Sequence, residues 1–194
     1  MASTVSHEES AKHIPGEAGI WLLIIGDLLM FSTFFLTFVF YRAQNLAIYV
    51  AGQQSLHQSY GLINTLLLLT SSWFVALAAQ RVRAGRGKAA FGPLSAAILC
   101  AIGFVAIKSL EYAEKIGSGL TIMTNEFYMF YFMLTGIHLI HVLIGTGVLV
   151  YMAVISRQTV VGPGEVRTVE SGASFWHLVD LLWIVLFALL YLMK

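Results

Sequence analysis

Phe175-Trp176-His177-Leu178-Val179-Asp180-Leu181-Leu182-Trp183 sets a histidine and an aspartate inside an apolar run from Ser174 to Met193. Three residues apart on a helix, His177 and Asp180 share a face. An ionisable side chain at the centre of a bilayer costs about 2.5–3.5 kcal/mol on insertion scales. Both groups must therefore face protein or water.

The rest of the chain has the same character. Of 194 residues, 58% are hydrophobic and 11% charged, and the mean hydropathy is +0.81, a balance that excludes a soluble domain and marks an integral membrane protein. A formal net charge of +1 offers no basic surface for nucleic acid. Cys100 is the only cysteine, which excludes an intrachain disulfide and a thiolate metal site.

Working outward, Met1 to Pro15 reads as a polar tail without the layout of a cleaved signal, turning interfacial near Pro15-Gly16-Glu17. Five apolar runs follow, approximately Gly19 to Tyr41, Tyr60 to Ala79, Phe91 to Leu110, Phe127 to Ile155 and Ser174 to Met193. Each is near the ~20 residues that span a bilayer as a helix. Barrel strands would be shorter, alternating and punctuated by turns. The fold class is thus an all-α membrane protein, a five-helix bundle. Arg81, Arg83, Arg86 and Lys88 flank the second connection, and Arg157 and Arg167 the fourth, so these face the cytoplasm, as does the N-terminus, with Lys194 outside. Gly162-Pro163-Gly164 makes the fourth connection a flexible loop. Trp21 and Tyr41, at the two ends of the first run, fit interfacial anchors.

Chemistry, if present, comes from polar residues inside the runs. Asp27 is either protonated or meets a donor from a neighbouring helix or a lipid headgroup. Lys108, Glu111, Glu114 and Lys115 have helical pair spacing and read as an interfacial ion-pair cluster. Thr135, Gly136, His138, His141, Gly145 and Gly147 interrupt the fourth run, where small residues permit close helix approach and histidines bond across the gap. His177 and Asp180 are expected to reach toward His138 or His141.

Three classes of function compete for these residues. A metal or haem site would use His138, His141 and His177, but a histidine pair three apart is an unspecific pattern, and zinc wants three or four convergent donors. A proton or ion transporter would use Asp27, Glu111, His138 and Asp180 as a relay, but five helices without a repeat make a poor transporter scaffold. An assembly subunit would spend the same groups on helix packing and lipid contact while docking on a catalytic partner. Sequence physics favours the third.

The segments GIWLLIIGDLLMFSTFFLTFVFY (19–41), LINTLLLLTSSWFVALAA (62–79), FVAIKSLEYAEK (104–115), TGIHLIHVLIGTG (135–147) and SFWHLVDLLWIVLFALLY (174–191) resemble, in order, the last five helices of cytochrome oxidase subunit III. The resemblance covers nearly everything from His13 onward. It implies a five-helix form of a family whose longer members have seven, and a non-catalytic subunit holding neither haem nor copper. Such a subunit packs beside catalytic subunit I of a haem-copper oxidase in a bacterial plasma membrane, binds phospholipid, and supports proton uptake and the durability of the active site. Asp27 corresponds to the family's reactive carboxyl in this helix, Glu111 to the acid of LEYAE, His138 and His141 to its paired histidines, and His177 with Asp180 to its WHxxD element. The opening His13-Ile14-Pro15-Gly16-Glu17-Ala18-Gly19-Ile20-Trp21 and Tyr41-Arg42-Ala43-Gln44 look more like the branch associated with nitric oxide reductase than like a quinol oxidase subunit.

Overall fold

A computed structural model describes residues 18–158 and 162–193; the polar tail, the segment at Pro15-Gly16-Glu17 and Lys194 lie outside the described residues. Six α-helices follow in order: α1 (Ala18–Gln44), α2 (Leu46–Gln54), α3 (Gln58–Arg83), α4 (Gly87–Gly117), α5 (Glu126–Ser156) and α6 (Pro163–Phe187), the last continuing into a π-helical turn, Ala188–Leu192. Five are long and apolar enough to cross a membrane.

The helices outrun the apolar runs. In α4 hydrogen bonding continues past Leu110 to Gly117, and α6 begins eleven residues before Ser174. The expected flexible loop at Gly162-Pro163-Gly164 is instead a helix start: Gly162 is extended and Pro163 takes the first turn, where its missing N–H is not needed. At the other end of the sequence pattern, the first connection contains α2, which hydropathy did not reveal.

Local sequence explains several junctions. Asn125 caps α5, its side-chain oxygen accepting from the Tyr128 N–H at 3.0 Å. Pro93 inside α4 removes the N–H that would bond the Ala89 carbonyl, and Arg81 donates to that carbonyl at 2.7 Å. The carbonyls that end the π turn are met by side chains from the end of α1, from α2 and from the start of α3: Gln53 donates to Leu189 O at 2.9 Å, Gln58 to Tyr191 O at 2.9 Å and Arg42 to Met193 O at 3.2 Å.

The helices α3, α4, α5 and α6 form a ring in which α3 packs on α4 and α6, and α5 on the same two neighbours. Gly145 lets the α5 backbone approach Trp176, since a Cβ there would lie 2.8 Å from the indole. Gly147, its expected companion, meets nothing within 4 Å. The most apolar stretch of α6 is 67% buried and that of α1 only 17%, so α6 is the hub and α1 an outrider resting against it. α2 closes one end: Tyr49 is fully buried against Phe38 and Phe127. Burial, reinforced by the Glu126 carboxylate, pushes its phenol up to about 12, so Tyr49 stays neutral.

Candidate functional site

The polar residues fall into separate clusters at helix seams, beginning with Lys108 in α4. It is fully buried, and its ammonium donates to Glu111 Oε2 at 3.0 Å, Tyr191 OH at 3.0 Å and Tyr131 OH at 3.2 Å. Tyr191 in turn donates to Glu111 Oε1 at 2.6 Å. All three ammonium hydrogens are used, and the cation lies 4.8 Å from the Tyr131 ring centre and 5.3 Å from that of Trp183. This corrects the expectation of an interfacial cluster. Lys108 and Glu111 are walled off inside the bundle, Lys115 donates to the Ser55 carbonyl at 2.5 Å, and Glu114 pairs with His57 at 2.9 Å.

Asp27 in α1 meets His141 in α5, with Oδ2 3.4 Å from Nε2. The other ring nitrogen, Nδ1, lies 2.9 Å from the Ile137 carbonyl, which can only accept, so Nδ1 carries a hydrogen. The carboxyl of Asp27 and the imidazole of His141 thus form a close polar contact between α1 and α5.

His177 and Asp180 do not reach α5, contrary to expectation. Viewed down α6 they point toward α3, where His177 Nδ1 lies 2.6 Å from Ser72 Oγ and the Asp180 carboxyl bonds the same hydroxyl. Serine, histidine and aspartate thus meet, but not in the order that activates a nucleophile. In a catalytic triad the carboxylate holds the ring nitrogen remote from the serine, whereas here it sits on the serine itself. Asp180 is buried, and its Oδ1 has no partner.

His138, fully buried in α5, packs on Phe104 and Trp183 at ring-centre distances of 5.8 and 5.3 Å, and neither nitrogen has a hydrogen-bond partner. Asn64 in α3, next to the Thr65 hydroxyl that accepts from the Trp183 indole at 3.0 Å, is also buried with both amide atoms unmet. Buried water is the usual partner of such groups.

The three histidines proposed as ligands therefore have unrelated surroundings: aromatic rings for His138, Asp27 for His141 and Ser72 for His177. Among the described residues no three His, Cys, Asp or Glu side chains converge as a metal would require. Sequence reading also missed Ser72, Tyr131, Tyr191 and Asn64. Only Asn64 carried a signal, as an amide in the middle of an apolar run. Trp176 and Trp183 are both buried packing residues, while Trp21 and Tyr41 stand 38% and 39% exposed at opposite ends of α1. An apolar groove of about 590 Å³ runs between α1 and α5, lined by Thr33, Phe34, Tyr41, Met129 and Met133 among others.

The family described as cytochrome c oxidase subunit III matches residues 4–194. The chain is 28% identical to quinol oxidase subunit 3 of Bacillus subtilis over 179 residues, covering 90% of this chain and 85% of that protein. It is 30% identical to cytochrome bo(3) ubiquinol oxidase subunit 3 of Pseudomonas putida over 183 residues, 90% and 84% of the two chains. Against cytochrome c oxidase subunit 3 of Triticum aestivum it is 29% identical over 199 residues, covering 95% and 71%. With a match across nearly its whole length and five apolar helices, the chain belongs to the cytochrome c oxidase subunit III family.

Proposed function

We propose that this chain is a non-catalytic membrane subunit that packs beside the catalytic subunit I of a respiratory haem-copper oxidase in a bacterial plasma membrane, supporting its assembly, stability and proton uptake. It holds no haem or copper itself. The observation that carries this reading is the match to subunit III over residues 4–194. Its polar groups are consistent with it, being used between helices in three separate places, Lys108 with Tyr131 and Tyr191, Asp27 with His141 and Ser72 with His177. A transport relay would need them in one connected line, and a haem or metal centre would need the histidines together.

Within this role Asp27 is the proton-linked residue, because its carboxyl faces the His141 imidazole from α1, the least buried helix, where both side chains keep partial access. Glu111, His138, His177 and Asp180 are packing groups. The α1–α5 groove suits a phospholipid acyl chain, being lined by aromatic and methionine side chains with few polar atoms.

A second reading, a nitric oxide reductase complex as the partner, rests on the short opening at 13–21 and on Tyr41-Arg42-Ala43-Gln44. The relatives described above are quinol and cytochrome c oxidase subunits. Affinity purification of the chain from its native membrane in mild detergent, with mass spectrometry and with oxygen and nitric oxide consumption assays, separates the two. Recovery of an oxidase catalytic subunit with oxygen consumption is expected. Recovery of a nitric oxide reductase would favour the second reading, and a chain that consistently purifies alone would refute both.

A further inference from the structure

Two polar side chains meet at the centre of the four-helix ring without a helix to answer them. On α3, Ser71 marks the side toward α4, its hydroxyl donating to Ala97 O at 3.0 Å, and Thr65 marks the side toward α6, accepting from the Trp183 indole. At about 3.6 residues per turn Asn64 falls between those two sides, and with no exposure it faces the ring interior. His138 enters from α5 in the same way, between Phe104 of α4 and Trp183 of α6. Trp183 fixes their common depth: its N–H bonds Thr65, the neighbour of Asn64, and its ring lies 5.3 Å from that of His138. Since α3 and α5 stand diagonally across the ring, the amide and the imidazole approach one level from opposite walls.

The chemistry of that level narrows what it can hold. Both polar atoms of Asn64 and both nitrogens of His138 are buried and unmet among the described residues. A direct bond between the two side chains would satisfy one atom of each and strand the others. Lys108, whose ammonium lies 5.3 Å from the Trp183 ring, is matched by the Glu111 carboxylate at 3.0 Å, so the level carries no net charge with which to hold an ion. An amide both donates and accepts, and so does a neutral imidazole in either tautomer. Their common complement is a small neutral molecule that also does both. Water is that molecule, and buried water gathers where it finds two to four polar partners. The two imidazole nitrogens point from opposite edges of the ring, so one water cannot serve both.

We propose that the centre of the four-helix ring is a water-binding site, in which Asn64 and His138 hold a small cluster of ordered waters between Phe104 and Trp183. The cluster ties α3 to α5 across the ring, where the two helices have no side-chain bond of their own among the described residues.

The test keeps the chain in its native membrane, equilibrated with water labelled with heavy oxygen. A brief X-ray pulse turns water into hydroxyl radicals in place, and these mark a buried side chain only where a water lies against it. Mass spectrometry is expected to find heavy oxygen on Trp183 and Phe104 and none on Met152, a reactive side chain of α5 that is just as buried. In the double variant Asn64→Leu with His138→Leu, the Trp183 label is expected to fall to the level of Met152. Trp183 and Phe104 as clean as Met152 in the parent would overturn the proposal. So would equal labelling of all three, which would mean an interior wet throughout, and so would a Trp183 label that survives in the double variant. If the double variant does not accumulate, a density map of the parent decides: water peaks bonded to Asn64 and His138 are expected, and a direct bond between them with no water would overturn the site.

Discussion

Lys108 shows how far a single buried cation commits its surroundings. With its three hydrogens spent on Glu111, Tyr131 and Tyr191, removing it leaves a carboxylate uncompensated at zero exposure. Breaking such a pair from one side typically costs about 3–5 kcal/mol, whereas replacing both partners by apolar groups is often neutral. Lys108→Met is therefore expected to lower the unfolding free energy in detergent titration by roughly that amount, and Lys108→Met with Glu111→Leu to recover most of it. Equal losses in single and double variants would show that the network contributes little beyond packing. Gly145→Ala is a second residue-scale test: the new methyl would meet Trp176 at 2.8 Å, and overpacking of this kind costs about 1–3 kcal/mol. An unchanged melting temperature would mean that the indole moves aside freely. For Asp27, Asn keeps the size but removes the ionisable carboxyl that faces His141. The chain should insert normally while proton uptake by the complex slows, and unchanged uptake kinetics would count against a proton-linked role.

Among the helices, what was legible in the sequence and what was not divide along a physical line. Apolar runs near twenty residues reveal which segments cross the bilayer, because hydrocarbon tolerates only internally bonded backbone. They do not reveal where helices stop, since α4 and α6 continue into charged and polar residues that water solvates as readily on a helix as off it. Nor do they reveal partners. His177 and Asp180 were correctly placed on one face, but whether α3 or α5 lies opposite depends on helix order around the ring, which hydropathy does not encode. Lys108 looked interfacial because helical spacing to Glu111 is the same at a surface and in a core. The π-helical turn makes an element-scale prediction. Gln53 is buried and its amide alone answers the Leu189 carbonyl, so Gln53→Leu strands a buried acceptor at a cost of about 1–3 kcal/mol. Hydrogen exchange should rise across residues 188–193 and remain unchanged in the middle of α6, and equal protection in both variants would contradict the capping role.

At the scale of the molecule, the bundle is a ring of four helices with the Lys108–Glu111 pair sealed inside and α1 leaning on the hub. Its polar groups hold seams between helices, and among the described residues none is arranged around a reacting atom. That division of labour fits a subunit that steadies and supplies a redox neighbour. The most direct measurement is a comparison of the purified complex with and without this chain, reading the haem absorption spectrum together with turnover followed to exhaustion. Unchanged haem bands and initial rate, with earlier loss of activity and slower proton uptake in the depleted complex, are the predicted result. Loss of a haem band along with the chain, or a depleted complex as durable as the complete one, would contradict the account.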